Sequence, residues 1–329
     1  MLIMVEKMKV ISLFCGAGGM DYGFLKAGHT IVWANDHDKD SLETYRNNIC
    51  KKFNLPEDHV VLGDIEKIDT KDIPDGDIVI GGFPCQGFSV ANTYRHVGDE
   101  RNKLYLELLR VIKEKKPKYF VAENVPGLLS IGQGEIIKII MKDFKEAGYK
   151  AQYKVLNAVD FGVPQSRRRV IILGTRNDIA KRAVHPQPTH FENSSINISG
   201  KKNNSWKTVK DAISDLPEEP TDKIPNHQGT RHKVKINGHI GNRATKWDKP
   251  SPTIVGRGGG TGGPVIIPHP NLKRRMTVRE TARLQSFPDD FIFYGAVTSQ
   301  FRQIGNAVPW PLAYNVAKEI PINSFGGKK

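Results

Sequence analysis

The sequence predicts an α/β protein: a mixed sheet with helices on both faces, followed by a smaller β-rich domain. Two observations predict it. Over the first half of the chain, short apolar strands alternate with helical patterns, the rhythm of a sheet covered on both sides. After about Pro186 the texture changes: Pro, Asn, Gly and Lys rise and helical periodicity fades, until regular structure resumes near Arg275. The organisation expected is a large domain over residues 1–185, the β-rich domain over 186–275, and a closing segment over 276–329 that returns to the large domain.

The elements follow in order. Lys9–Phe14 reads as a buried strand, and a glycine turn follows at Gly16, Gly18 and Gly19. Met20–Ala27 reads as a helix stopped by Gly28. Thr30–Asn35 is a second strand and Ser41–Phe53 a second helix. Val60–Leu62 is a short strand ending at Gly63-Asp64. Asp77–Gly81 is a strand running into Gly82-Phe83-Pro84-Cys85. Leu104–Lys115 is an amphipathic helix, Tyr119–Ala122 a strand ending at Glu123-Asn124, and Glu135–Ala147 a helix closed by Gly148. Tyr153–Asn157 and Arg169–Gly174 form a late pair of strands. Between Pro186 and Arg275 only Val209–Leu216 keeps helical spacing. Val278–Gln285 and Pro311–Glu319 are the last two helices, and Gly256–Gly263 is a loop.

The 329 residues are 38% hydrophobic and 26% charged, as in an ordinary globular protein. No apolar run reaches the roughly 18–20 residues a membrane span needs. The first nine residues lack a signal-peptide core, so the reading is cytoplasmic. The three cysteines, Cys15, Cys50 and Cys85, form no CxxC pair, which disfavours a disulfide framework or a cysteine zinc site. The net charge is +14, which suggests a polyanionic partner. Ten Lys/Arg against the single acid Asp248 fall between Ile224 and Arg275, a concentration suited to phosphates.

Several motifs carry chemistry. Phe14-Cys15-Gly16-Ala17-Gly18-Gly19 lies between a strand and a helix, where glycines let the backbone approach a ligand and free N–H groups face it. Its GxGG spacing departs from the GxGxxG of dinucleotide loops. Asp36 ends the second strand, where a carboxylate accepts from ribose hydroxyls. His37 beside it is placed to cover an adenine face, and Asp64, after the third strand, to accept from an adenine amino group. Together they describe an adenosine-type site on the carboxyl edge of a sheet. Cys85, held between Pro84 and Gln86 in a glycine-flanked loop after a strand, is placed for exposure and reaction. A free thiol titrates at about 8.5, so the site must favour the thiolate. Glu123, after another strand end, can protonate or hydrogen-bond a ring nitrogen of a base. Arg167 and Arg169 share one face of the extended segment Gln165–Arg169, and a guanidinium grips a phosphate or a carbonyl oxygen.

In this order — FxGxGG, an acid after strand two, Asp64, Pro84-Cys85-Gln86, Glu123-Asn124-Val125, Gln165-x-Arg167-x-Arg169 — the set resembles the C5-cytosine DNA methyltransferase family of bacterial, restriction–modification type. Arg279–Pro288 is similar to its RExARLQxFP helix, Gln303–Pro309 to its QxGNxVP segment, and Ser251–Ile254 to its short Thr-Leu element. Matches run from about Lys9 to Glu319, and only 186–275 lacks strong ones, where the family keeps its target-recognition domain. Asp36 departs from the usual Glu and shortens the reach slightly.

The resemblance implies a Rossmann-like, S-adenosylmethionine-dependent methyltransferase fold. It implies transfer of a methyl group from S-adenosyl-L-methionine to carbon 5 of a flipped-out cytosine in double-stranded DNA, leaving S-adenosyl-L-homocysteine. Cys85 would add to C6, Glu123 would meet N3 and the amino group, Arg169 would bind O2, and Arg167 would help place the base or a phosphate. The donor pocket would use Phe14, Gly16, Gly18, Gly19, Asp36, His37, Asp64, Pro84 and Asn306. DNA contacts are expected from Ser89, Arg95 and Arg101 in a lid over about 89–101, and from Gln165, Thr253, Arg257, Lys273, Arg274 and Arg275. No metal is implied. A monomer is expected, acting at the nucleoid, alone or beside a cognate restriction endonuclease. A tRNA cytosine methyltransferase shares the catalytic set, but its Cys-Phe-Thr tripeptide is missing here. An inactive DNA-binding relative would show damage at Cys85, Glu123 or the arginines, all of which are intact. An NAD-dependent oxidoreductase is disfavoured by the GxGG spacing and the cysteine loop.

Overall fold

Lys9–Leu13 (β1) is the strand on which the sheet is organised. It pairs in parallel with Thr30–Asp36 (β2) on one side and Ile78–Gly82 (β4) on the other. Val60–Leu62 (β3) extends the sheet beyond β2, and Tyr119–Asn124 (β5) beyond β4, both in parallel. Arg168–Arg176 (β7) runs antiparallel to β5, and Tyr149–Asn157 (β6) closes the edge, giving the order β3-β2-β1-β4-β5-β7-β6. The chain thus leaves β1 toward one edge, then returns to build the other. The crevice between β1 and β4, at the carboxyl ends of the strands, is where such sheets hold their ligands. The computed structural model describes residues 7–83, 103–193, 204–230, 233–237, 242–256 and 265–321.

Alternation along the strands sends side chains into two cores. Val10, Ile78, Ile80, Tyr119 and Val121 face Gly19–Lys26 (α1), Lys39–Tyr45 (α2) and Trp310–Lys318 (α9). Ile11, Leu13, Val79, Phe120 and Ala122 face Lys103–Lys115 (α4) and Glu135–Glu146 (α5). Both faces are therefore covered, as expected. Each fully buried aliphatic or aromatic side chain in these layers contributes about 1.5–3 kcal/mol.

Three elements differ from the sequence reading. The helix expected over Ser41–Phe53 is three pieces in series: α2, a π-helical turn at Arg46–Cys50, and Lys51–Phe53 (α3). Val297–Asn306 (α8) was not expected; beside the short apolar row Val297, Phe301 and Ile304, its buried face carries the polar Ser299, Gln300 and Gln303. Gln303 accepts from Thr44 Oγ1 at 2.7 Å and donates to the Tyr294 carbonyl at 2.9 Å, so hydrogen bonds replace apolar contact there.

The third difference is the middle region, expected to be β-rich. Its described residues hold two two-residue strands, His190–Phe191 (β8) and Asn204–Ser205 (β9), and the short helix Val209–Ile213 (α6). It is largely irregular, with a small core of Val209, Ile213, Ile254, Ile267, Met276 and Leu284. Leu284 belongs to Val278–Leu284 (α7), so the boundary expected at residue 275 cuts through this core. Capping boxes at Thr208/Asp211 and Thr277/Glu280 start α6 and α7. No helix of the described residues is long and apolar enough to cross a membrane.

Candidate active site

The carboxyl edge of the sheet collects the groups the sequence singled out. Past β1 the chain turns sharply: Phe14, Gly16 and Gly18 have φ of +56°, +53° and +86°. That places a non-glycine residue in the left-handed region beside a ligand crevice. The three glycines have different jobs. A Cβ on Gly18 would press on Ile49 at 2.8 Å and Tyr45 at 2.9 Å, and one on Gly19 on the Val308 carbonyl at 2.5 Å. These two serve packing. A Cβ on Gly16 would meet no protein atom within 4 Å, so packing does not require this glycine.

Asp36, at the end of β2, is buried and ties the edge together. Oδ2 accepts from the Gly16 N–H at 2.8 Å and Oδ1 from the Asp38 N–H at 2.9 Å. His37 is exposed, with Nδ1 3.5 Å from Asp36 Oδ1. Asp64, after β3, is exposed and caps the turn Ile65–Lys67 by accepting from the Glu66 N–H. Asn306 ends α8 with its side chain exposed. Pro84 lies outside the described residues, as do Cys85, Ser89, Arg95, Arg101, Arg257 and the expected lid.

Across β4 and β5 the register sets Gly82 beside Glu123. A side chain at Gly82 would crowd Glu123 Oε2, 3.0 Å from the Cβ position. The carboxylate fills that space and pairs with Arg169, Nε to Oε1 at 2.8 Å, both groups nearly buried. Burial pulls the Arg169 guanidinium down from its usual range while Glu123 holds it up, and it stays cationic. Asn124 Nδ2 donates to the Phe83 carbonyl at 2.9 Å, fixing the backbone just before Pro84-Cys85. Sequence reasoning gave neither Gly82 nor Asn124 a role, though both sit inside motifs it quoted.

Asp21 was also missed. It is fully buried beneath the glycine turn and accepts from Ser12 Oγ at 3.0 Å and Tyr45 Oη at 2.9 Å. Burial pushes its carboxyl up to about 6, against those two hydrogen bonds. A serine inside an otherwise apolar strand was the available signal. The thiols of Cys15 and Cys50 are buried and free. Burial raises both, Cys50 to about 11, so neither is a nucleophile at neutral pH.

Four residues expected at the DNA or the base are engaged inside the protein. Arg167 is 1% exposed. Its Nη1 donates to the Ile254 carbonyl and its Nη2 to those of Gly305 and Ala307, so both terminal nitrogens are engaged by backbone carbonyls. Gln165 is 0% exposed and bonds Leu284, Gln285 and the Ile254 N–H. Arg274 grips Glu280 through two bonds of 2.8 and 2.7 Å. Arg275 donates to the Lys233 and Ile266 carbonyls and to Asn242. For Arg167 and Gln165 the reason is burial, because a buried cation or amide needs nearby acceptors; Arg274 and Arg275 are half-buried and held by the acceptors beside them. Thr253 donates to the Ser166 carbonyl at 2.6 Å. Lys273 stays exposed, 3.7 Å from Glu218.

A doubly wound sheet with an acid at each of two successive strand ends and a buried carboxylate–guanidinium pair on the neighbouring strands β5 and β7 has the make-up of a Rossmann-like enzyme of the methyltransferase kind. The chain belongs to the C-5 cytosine-specific DNA methylase family, whose model matches residues 8–321, and it is a DNA (cytosine-5-)-methyltransferase. It is 41% identical to the type II methyltransferase M.NgoFVII of Neisseria gonorrhoeae, over 98% of this chain and 89% of that one. It is 37% identical to the type II methyltransferase M.FnuDI of Fusobacterium nucleatum, over 95% and 94%. Among solved structures, a putative DNA modification methyltransferase encoded within an E. coli prophage superposes with a TM-score of 0.71 at 26% identity, covering 95% and 98% of the two chains. The S. pombe Dnmt2 methyltransferase, at 21% identity, shares the fold with a TM-score of 0.65 over 94% and 98%.

Proposed function

We propose that the chain methylates carbon 5 of a flipped-out cytosine within a short specific sequence of double-stranded DNA, through a covalent bond between Cys85 and C6. The observation that carries this is the buried Glu123–Arg169 pair, with Glu123 beside Gly82, the residue three positions before Cys85 in the chain. A carboxyl and a guanidinium side by side match the N3/amino edge and the O2 of one cytosine.

The methyl donor is S-adenosyl-L-methionine, and the residues present fit it. The space beside Gly16 is open. Each Asp36 oxygen accepts one backbone N–H and keeps lone-pair capacity for a ribose diol. His37 and Asp64 are exposed at the neighbouring strand ends. Phe14 and Asn306, with the turn that Gly18 and Gly19 shape, are the further residues proposed for the pocket, and Pro84 joins them by sequence motif. The donor supplies an electrophilic methyl group.

The protein's work is on the cytosine. The Cys85 thiolate adds to C6, and Glu123, bonded at N3, stabilises the charge that appears in the ring. Carbon 5 becomes the nucleophilic carbon of an enamine. After methylation, loss of the C5 proton expels the thiolate and frees the residue. Arg169 holds O2 and keeps Glu123 in place. Exposed cations of the middle region, Lys273 among them, bind phosphates. The reading extends to a restriction–modification role beside an endonuclease of the same specificity.

The test is incubation of the protein and a Cys85→Ala variant with methyl-labelled donor and mixed duplex DNA, followed by bisulfite sequencing. Methylcytosine at one short motif, absent with the variant, supports the reading. Label in transfer RNA but not in DNA overturns it.

A further inference from the structure

Three chain segments meet at Arg167. Its guanidinium holds the Ile254 carbonyl, from the middle region, and those of Gly305 and Ala307, from the end of α8. Gln165, two residues earlier, takes the Ile254 N–H on its Oε1 and donates to Leu284 and Gln285. Gln285 in turn donates to the Ile304 carbonyl at 2.7 Å. Gly256 and Gly305 cross so closely that a Cβ on either would overlap the other segment, and a Cβ on Gly256 would also strike Asn306 Oδ1. These residues form a clasp that fixes Ile254–Gly256 against Gly305–Ala307 at the foot of β7, the strand that carries Arg169.

We propose that Arg167 is a positioning residue: without touching DNA, it sets the middle region relative to the Glu123–Arg169 pair, so that a bound duplex presents its cytosine to that pair. Two observations favour this over a role in stability alone. The clasp is built on a buried cation with no carboxylate among its bonded partners, a costly way to hold chains together. Its Nε has no partner among the described residues, so the burial is not fully compensated. An apolar contact would stabilise such a joint at lower cost. The guanidinium instead reads three carbonyl positions at once and fixes one geometry.

The inference rests on the Glu123–Arg169 pair binding the base, so Glu123→Gln is assayed beside the clasp variants. Those are Arg167→Lys, which keeps the charge but loses the fork, and Gly305→Ala, which wedges the crossing open without altering charge. Each is measured for melting, donor affinity, kcat, and the slope of log DNA affinity against log salt. The expected result for both is a 10- to 100-fold lower kcat with donor affinity and salt slope unchanged, at a temperature where they are folded. A salt slope lowered by about one in Arg167→Lys means a phosphate contact and overturns the proposal. So does a lower melting point with kcat intact. Should neither variant melt cooperatively, the near-isosteric Gln165→Glu takes their place, and if it too is unfolded the clasp is a folding element and the proposal falls. Full activity in Glu123→Gln instead defeats the reading of the pair.

Discussion

Asp21 occupies the third position of α1, where the free N–H groups of a helix start favour a carboxylate, yet it is fully buried and no cation among the described residues pairs with it. Its carboxyl titrates near 6 in the folded protein, against an ordinary 3.8. Below that ordinary value both folded and unfolded chains are protonated. As pH rises from about 4 to about 6 the unfolded chain loses its proton first. Stability therefore falls across that window, leaving a cost on the order of 2–3 kcal/mol at neutral pH. Asp21→Asn keeps an acceptor for Ser12 and Tyr45 and removes the charge. It should melt several degrees higher than the parent at pH 7.5 and no higher at pH 4, as calorimetry would show; a lower melting point at pH 7.5 would mean the charge is stabilising. Lys273 and Arg274 are adjacent but differ in the same physical sense. Lys273→Ala should reduce the salt slope of DNA binding by about one. Arg274→Ala should leave the slope alone and destabilise by about 3–5 kcal/mol, because it strands the buried Glu280 carboxylate. Denaturant melts and salt titrations of the two variants separate these outcomes.

Among the elements, α1 is held from two sides. Its start is packed by Gly18 and Gly19, and its middle by Gly23, where a Cβ would meet Ala313 at 2.6 Å and the Trp310 carbonyl at 2.7 Å. That contact joins the first helix to α9, near the far end of the chain. Gly23→Ala should push α9 off α1 at about 1–3 kcal/mol, read as a lower thermal midpoint. Gly16→Ala should behave oppositely. It meets no protein atom, so its stability loss should be limited to the left-handed backbone, about 1–2 kcal/mol. Its donor affinity, followed by calorimetric titration, should fall at least 10-fold. Unchanged donor affinity in Gly16→Ala would remove this residue from the donor site.

At the scale of the whole molecule, two large cores sandwich the sheet while the middle region keeps a small core that borrows Met276 and Leu284 from the segment beyond it. The buried polar clasp joins the catalytic edge and the middle region, and Ile266 packs into one of the large cores. The net charge of +14 acts here. DNA affinity should fall steeply and log-linearly with salt, while the thermal midpoint should change little, because the buried pairs Glu123–Arg169 and Glu280–Arg274 are poorly screened. A midpoint that tracked salt as strongly as DNA affinity does would contradict that division.

By itself the sequence determined the strand–helix rhythm, the glycine turn, the acids at the strand ends and the order of the motifs. These are local: each depends on periodicity, on backbone freedom or on a few neighbours along the chain. What it left undecided was which polar groups face a ligand and which are buried. Arg167, Gln165, Arg274 and Arg275 have the composition of a DNA surface, but tertiary structure buries Arg167 and Gln165 against segments far along the chain and engages Arg274 and Arg275 with acceptors of the protein. The same reason hid Asp21: a buried polar side chain held by hydrogen bonds leaves no apolar period to read, and only the folded chain brings its partners together.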